Sequence, residues 1–165
     1  MTIEVRDERP ADREAVFQLN AEAFPTDVEA KLVDRLRADA DPVISLVATD
    51  DGDVVGHILF SPAELGDGAL VMGLAPMAVR PDRQRQGIGS SLVRAGLDRC
   101  RDLGAGVVIV LGHAEYYPRF GFEPASRYGV LSKYDVPDEV FLLVELTPGA
   151  AVEGTARYHP AFDEI

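Results

Sequence analysis

Cysteine is nearly absent from the 165-residue sequence, in which Cys100 is the only one. A lone thiol cannot form a disulfide within the chain, which fits a reducing compartment and excludes a disulfide scaffold and a cysteine-built zinc site. The longest apolar runs, at residues 69–79 and 106–111, contain Gly or Pro and are shorter than a membrane span. The first residues alternate charged with apolar side chains and lack the apolar segment of a signal peptide. We therefore expect a cytoplasmic protein with no membrane partner.

Internal repeats, low-complexity tracts and linkers rich in Pro, Gly or Ser are also missing from the sequence. The length of 165 residues is close to that of one ordinary domain. With 47% apolar and 27% charged residues, the composition is typical of a globular protein rather than a disordered or fibrous one. We predict a single domain over residues 1–165, large enough to bury a core without a disulfide.

Positive charge is scarce: 16 basic residues face 28 acidic ones, for a net charge of −12. Such a field repels nucleic acid and anionic lipid, so we expect no nucleic-acid partner. Residues 80–101 reverse the sign locally, because six arginines in this stretch face only Asp82 and Asp98. Lysine is rarer still, with two among the sixteen basic residues, a bias that fits either a GC-rich genome or a salty cytoplasm.

Hydrophobic periodicity predicts alternating strands and helices along the chain. One strand–helix–strand crossover lies near the middle, which points to a mixed sheet of the α/β or α+β class. The predicted strands cover residues 2–6, 43–49, 54–61, 69–79, 107–111 and 141–146, and the predicted helices cover 10–24, a segment that starts at Thr26, 87–104 and 114–120. Residues 152–158 are interpreted as a terminal strand or a closing arm.

Pro76 lies inside the apolar strand predicted at residues 69–79. Proline has no N–H to donate to a strand ladder and is normally excluded from central strands. The sequence therefore predicts a β-bulge or a splayed pairing at this point.

The same strand leads through Pro81 and an Arg- and Gln-rich loop into a helix that begins at Gly87 and Gly89. Small residues at a helix start allow backbone N–H groups to approach a ligand, and the helix dipole adds partial positive charge there. Arginine side chains nearby, at positions 80, 83 and 85, add fixed charge. This pattern predicts a pyrophosphate site, although paired glycines also occur in ordinary turns.

Two familiar phosphate-binding motifs do not fit this loop. A P-loop requires a Lys after its last glycine, and none follows here. A dinucleotide-binding fingerprint requires a third glycine where this chain has Leu92. What is present is Gln84-x-x-Gly87-x-Gly89 after a strand that ends Met77-Ala78-Val79. This pattern resembles the acetyl-CoA site of the GNAT N-acetyltransferase superfamily.

The resemblance extends over most of the chain. Residues 112–122 are similar to the Tyr-x-x-x-Gly-Phe element of that superfamily, with Tyr117, Gly121 and Phe122 at its fixed positions. The amino-acid sequence of this segment resembles that of the small bacterial YhbS-like group of GNAT proteins. The same holds for residues 29–33, 74–79 and 157–162. The superfamily often has an Asn shortly before the tyrosine, whereas this chain has residues 112–114 as Gly-His-Ala.

The resemblance implies a GNAT-like fold, a mixed and partly splayed sheet of about 6–7 strands with helices on both faces. It also implies acetyl-CoA as cosubstrate. No metal is expected, because the three histidines are scattered and lack ligand spacing. Pantetheine amides would then replace the pairings that the strand at Pro76 cannot complete. The implied pantetheine residues are Met77, Ala78 and Val79, and the implied pyrophosphate loop is Arg85, Gln86, Gly87, Ile88, Gly89 and Ser90.

Tyr117 occupies the position where the superfamily carries a tyrosine that protonates the departing CoA thiolate. A phenol with a pKa near 10 stays protonated at neutral pH and can donate to sulfur as charge develops. The alternative is an aromatic core cluster of Tyr116, Tyr117, Phe120 and Phe122. We assign Tyr117 to catalysis and Tyr116 to packing.

A base or a water chain must also remove a proton from the attacking ammonium group. Glu29 is the candidate, since helical periodicity places it in the apolar stripe of the second helix. The favoured alternative is a capping box, in which the Thr26 and Glu29 side chains each accept a hydrogen bond from the other residue's backbone N–H.

His57 and His113 lack metal-ligand spacing and are assigned to structural hydrogen bonding. Cys100 is assigned to the core.

The predicted function is transfer of an acetyl group from acetyl-CoA to a primary amine by direct attack. The alternative from another class is a non-catalytic acyl-CoA-binding sensor or interaction module, which would not need the Tyr117 hydroxyl. The acidic surface favours a cationic acceptor.

Overall fold

A seven-stranded mixed sheet forms the centre of the molecule. The computed structural model describes residues 2–66 and 70–164. The strands are β1 (Ile3–Asp7), β2 (Ile44–Asp50), β3 (Asp53–Ala63), β4 (Val71–Val79), β5 (Val107–Leu111), β6 (Glu123–Pro124), β7 (Val130–Ser132), β8 (Phe141–Glu145) and β9 (Gly154–Ala156). The order in the sheet is β1-β2-β3-β4-β5-β8-β6, while β7 and β9 form a separate parallel pair. β4 and β5 are parallel, and their neighbours in the sheet are antiparallel.

Helices cover both faces of this sheet, as predicted. The helices are α1 (Arg13–Ala23), α2 (Val28–Asp39) and α3 (Ile88–Leu103). Side chains alternate along a strand, so Leu46 and Ala48 of β2 pack in the core with α3, whereas Val47 between them packs with α1 and α2. Among the residues that the structure describes, no helix combines the length and the apolar character needed to cross a bilayer.

Several predicted boundaries need correction. The first helix is preceded by a 3₁₀ turn at Pro10–Asp12, and the predicted helix at 114–120 is reduced to a 3₁₀ turn at Tyr117–Phe120. Pro118 has no N–H for a helical ladder, and Gly121, with φ of 96°, ends the turn. The terminal strand shrinks to β9, which pairs with β7, a strand that the sequence did not predict. Residues 67–69, including the predicted strand start at residue 69, lie outside the described residues.

The predicted bulge at Pro76 is confirmed by the strand register. Ile58 of β3 lies opposite Met77, and Phe60 lies opposite Leu74, so two steps along β3 correspond to three along β4. The extra residue of β4 falls in the segment that contains Pro76.

Pairing between β4 and β5 also stops at this point. It runs from Val71 opposite Val107 to Leu74 opposite Val110, and within the described residues it goes no further. β4 itself continues to Val79, paired with β3 alone. The sheet is therefore splayed between the carboxyl ends of its two parallel strands.

Candidate active site

The start of α3 lies beside this splayed edge and presents backbone N–H groups. Its first helical hydrogen bond runs from the Ser91 N–H to the Gly87 carbonyl at 3.0 Å. The N–H groups of residues 88–90 therefore have no acceptor within the helix. Gly87 has φ of 82°, a left-handed conformation, and no atom lies within 4 Å of an added Cβ. Glycine is required at this position by backbone conformation rather than by crowding.

Gly89 has a different role from Gly87. A Cβ at Gly89 would lie 3.0 Å from the Tyr116 hydroxyl. The absent side chain thus allows Tyr116 to approach the helix start, where its hydroxyl lies 3.4 Å from Ser90 Oγ. The two glycines therefore do more than loosen a turn: Gly87 allows the left-handed backbone, and Gly89 allows the close approach of Tyr116.

The three arginines of the loop are not equivalent. Arg80 pairs with Asp82 at 2.6 Å, and Arg83 pairs with Asp50 at 2.5 Å. Arg85, with φ of 66°, has no ion-pair partner within residues 2–66 and 70–164. Its guanidinium is the loop charge that is available to a ligand.

A cavity of about 620 Å³ connects the loop to the splayed end of β4. Of the predicted cofactor residues, Met77, Val79, Arg85, Gly87, Ile88, Gly89 and Ser90 line it. Ala78 and Gln86 do not line it: Ala78 is buried and pairs with His57 of β3, and the Gln86 side chain is exposed. Further lining residues are Arg83, Gln84, His113, Tyr116, Tyr117 and Arg119.

Backbone groups at the end of β4 face this cavity. The Arg80 N–H donates to the Val55 carbonyl at 2.8 Å, so Ala78, two residues earlier, also directs its backbone groups toward β3. By the alternation of an antiparallel ladder, Met77 and Val79 direct theirs toward the splayed side. The Gln84 side-chain amide donates to the Val79 carbonyl at 3.3 Å. The splayed edge is therefore suited to pair with an extended, amide-containing ligand.

Tyr117 is held rigidly at the inner end of the cavity. It is 7% exposed and makes edge contacts with Tyr116 and Phe122, at ring-centroid distances of 5.1 and 5.6 Å. A Cβ at Gly112 would lie only 2.3 Å from its ring, so glycine at that position is required for its placement. Burial raises the pKa of Tyr117 to about 12, with the neighbouring Tyr116 as a smaller cause. Its hydroxyl is therefore protonated at neutral pH.

A second cavity, of about 560 Å³, adjoins the first at Tyr117. Met77, His113 and Tyr117 line both cavities. The remaining walls of the second cavity come from the α1–α2 corner, β4 around Pro76, the end of β5, the segment after β7 and the carboxyl-terminal tail. They consist of Phe24, Glu29, Leu32, Leu74, Ala75, Pro76, Leu111, Gly112, Tyr134, Val136, Tyr158 and Phe162.

Glu29 is the only carboxylate among the described residues that line the second cavity. The predicted capping box with Thr26 is wrong, because α2 begins one residue later than expected, with Asp27 as its N-cap. Thr26 Oγ accepts a long bond of 3.4 Å from the Val28 N–H. Glu29 is half-buried, and within the described parts of the chain its carboxylate has no hydrogen-bond or ion-pair partner. It faces the cavity as an unneutralised charge.

Sequence reasoning missed several of these residues. Tyr116 packs on Tyr117, as predicted, but it also lines the first cavity and lies under the Arg119 guanidinium at 4.8 Å. His113, assigned to structural hydrogen bonding, is exposed and lies between the two cavities. The sequence places His113 and Tyr116 directly after β5 and close to Tyr117, and this position could have indicated that they belong to the site. Tyr134 and Val136 gave no signal, since they follow a strand that was not predicted.

His57 and Cys100 lie outside both cavities. His57 is fully buried, with its ring nitrogens 2.9 Å from Ser45 Oγ and 3.2 Å from Asn20 Nδ2, and burial lowers its pKa to about 4. Cys100 is buried in the core under α3, where burial raises its pKa to about 12. These environments agree with the structural roles predicted for both residues. Within the described ranges, no cluster of three or more His, Cys, Asp or Glu side chains could hold a metal ion.

Comparisons with known proteins agree with this geometry. Residues 13–122 match the acetyltransferase (GNAT) family. The chain is 36% identical to the uncharacterized N-acetyltransferase YhbS of Escherichia coli K12 over 165 residues, which cover 98% of this chain and 99% of the relative.

Two crystal structures are similar over nearly the whole chain. YhbS from Escherichia coli in complex with CoA has a TM-score of 0.91 and 35% identity, covering 98% of this chain and 92% of that one. A GNAT family acetyltransferase from Brucella melitensis in complex with acetyl-CoA has a TM-score of 0.81 and 36% identity, covering 98% and 99% of the two chains.

Proposed function

The chain belongs to the GNAT family of acetyltransferases, and from this premise we propose that it transfers an acetyl group from acetyl-CoA to a primary amine by direct attack. The observation that carries the proposal is the meeting of two cavities at Tyr117. One cavity is lined by free helix-start amides and a splayed strand edge, and the other by an unneutralised carboxylate. A donor bound in one cavity and an acceptor bound in the other would meet at the Tyr117 side chain, which lines both.

The first cavity is proposed to bind acetyl-CoA. The N–H groups of residues 88–90 and the Arg85 guanidinium would hold the pyrophosphate, since a helix start and an unpaired cation both favour negative charge. Met77 and Val79 would pair with the pantetheine amides in place of the missing strand. The relatives that bind CoA and acetyl-CoA, with the same fold, support this assignment.

The second cavity is proposed to bind the amine. Glu29 would attract the ammonium form and accept one of its protons, which leaves a neutral nitrogen with a free electron pair. Attack on the thioester carbonyl forms the C–N bond and breaks the C–S bond. The second nitrogen proton and the proton held by Glu29 pass to solvent, and the products are an amide and free CoA thiol.

Tyr117 is proposed to donate a hydrogen bond and then a proton to the departing thiolate. A phenol with a pKa of about 12 keeps its proton until negative charge develops beside it. Packing against Phe122 and Gly112 fixes the ring, so no reorganisation is needed during the reaction. The phenolate then regains a proton from solvent.

Release of free CoA thiol, followed while a panel of primary amines is offered with acetyl-CoA, tests the proposal. We expect amine-dependent release together with stabilisation of the fold by acetyl-CoA alone, of about 2.7 kcal/mol at a hundredfold excess over Kd. Stabilisation without release for any amine would instead indicate a non-catalytic binding module. Absence of any stabilisation at millimolar acetyl-CoA would refute the binding assignment itself.

A further inference from the structure

The second cavity has one charge and otherwise mainly apolar or aromatic walls. Glu29 supplies the charge, and the aromatic side chains of Phe24, Tyr134, Tyr158 and Phe162 stand around it. Within the described lining there is no lysine or arginine, and His113 is the only histidine. A ligand that fills this space meets a single negative charge and a large apolar surface.

The aromatic wall is fixed in place by its own packing. The rings of Tyr158 and Phe162 meet edge to face at a centroid distance of 4.8 Å. Tyr158 also lies over Gly73 of β4, where an added Cβ would be 3.0 Å from its ring. Its hydroxyl donates to the Ile109 carbonyl at 3.5 Å. The tail is thus attached to the sheet, and this wall is preformed for an apolar body.

The charges of the cavity discriminate among classes of amine. An ammonium that leaves water must be paired, and Glu29 can pair with one such group. A polyamine brings a second ammonium for which the described lining offers no second carboxylate. An amino acid brings a carboxylate that would find no lysine or arginine and would lie near Glu29. Aromatic faces, by contrast, stabilise both an ammonium group and an apolar substituent.

Resting on the proposed acetyl transfer, we infer that the acceptor is a hydrophobic primary monoamine. It carries one ammonium group, a ring or branched aliphatic body and no carboxylate. Glu29 binds the ammonium group beside Tyr117, and the body lies between the α1–α2 corner and the tail.

Three probes that share or change one feature test this inference. 2-Phenylethylamine has the inferred chemistry, L-phenylalanine adds a carboxylate to the same body, and spermidine replaces the body with further charges. We expect kcat/KM for 2-phenylethylamine to exceed each of the others by at least about tenfold, which corresponds to about 1.4 kcal/mol. An equal or reversed order overturns the inference.

Binding of the same amines to CoA-saturated protein, measured by the rise in Tm, gives a readout that does not depend on turnover. 2-Phenylethylamine should raise Tm more than L-phenylalanine or spermidine at equal concentration. No shift, or a larger shift with either of the other two, overturns the inference. If acetyl-CoA releases no thiol with any amine, the transferase proposal fails, while this order of binding still decides the acceptor chemistry.

Substitutions in the cavity sharpen the assignment. Glu29→Gln keeps the shape of the side chain and removes its charge, so KM for 2-phenylethylamine should rise about tenfold or more. Glu22→Gln, on the exposed side of α1, serves as the matched control.

Val136→Glu adds a second carboxylate at a half-buried lining position. It should raise the ratio of kcat/KM for spermidine to kcat/KM for 2-phenylethylamine by about tenfold. An unchanged KM in Glu29→Gln, or an unchanged ratio in folded Val136→Glu, contradicts the inference.

Discussion

The two cavities that meet at Tyr117 are built in different ways. Most of the first comes from one continuous stretch, residues 77–90, and much of what it presents to a ligand is backbone: the edge of β4 and the start of α3. The second is assembled from side chains of the α1–α2 corner, the segment after β7 and the tail. A backbone site tolerates change in most side chains, whereas a side-chain site changes with each of them. In the proposed function, the backbone site binds the acetyl donor and the side-chain site selects the acceptor.

The largest effect is expected from Gly87→Val, which places a β-branched residue at a φ of 82°. The loop must then change conformation, so acetyl-CoA affinity should fall by about 10²-fold or more, measured by the ligand-induced shift in Tm.

Gly149→Val provides a matched control for Gly87→Val, because Gly149 has a φ of 80° and also has no atom within 4 Å of an added Cβ. It lies outside both cavities. We expect comparable backbone strain with normal acetyl-CoA binding. Retained binding in folded Gly87→Val would show that the site does not depend on the backbone of this turn.

A smaller effect is expected from Arg85→Gln. Arg85 has no ion-pair partner among the described residues and is proposed to bind the pyrophosphate, so loss of its guanidinium should weaken acetyl-CoA binding by about tenfold, less so at high salt. Arg80→Gln should change affinity little, since Arg80 is paired with Asp82 and does not line the cavity. Equal losses in the two variants, measured by titration calorimetry, would mean that general positive charge rather than one positioned side chain binds the ligand.

The smallest effect on either cavity is expected from the buried His57 network. Burial lowers the pKa of His57 to about 4, whereas an unfolded histidine titrates near 6.5. As pH falls from 7 to 5, the unfolded chain takes up a proton that the folded protein excludes, so the free energy of unfolding should fall by about 2 kcal/mol.

In His57→Gln, the free energy of unfolding measured in urea should fall by about 2 kcal/mol less between pH 7 and pH 5 than in the parent protein. Acetyl-CoA affinity should be nearly unchanged. The variant is expected to be less stable at neutral pH, because His57 bonds to both Ser45 and Asn20. The same pH dependence in variant and parent would assign the effect to other groups.

The contrast between the cavities also explains how far the sequence could be interpreted. The loop at 84–90 and the bulge at Pro76 are local features, since glycine permits a left-handed backbone and proline removes a backbone N–H donor wherever they stand. Glu29 was harder to assign, because a one-residue shift in the start of α2 decides whether its carboxylate caps the helix or faces a cavity. Tyr134 and Tyr158 reach the site only through the β7–β9 pairing and the packing of the tail, which no local pattern encodes.

Tyr117→Phe, with kcat and acetyl-CoA affinity measured on the same preparation, tests the claim that the two cavities form one reaction site joined at Tyr117. The substitution removes only a hydroxyl, so we expect kcat to fall by about 10²-fold with affinity nearly unchanged, while Tyr116→Phe alters kcat little. A wild-type kcat in Tyr117→Phe, with the chemical step shown to be rate-limiting, would contradict the claim and leave Tyr117 as part of the aromatic core.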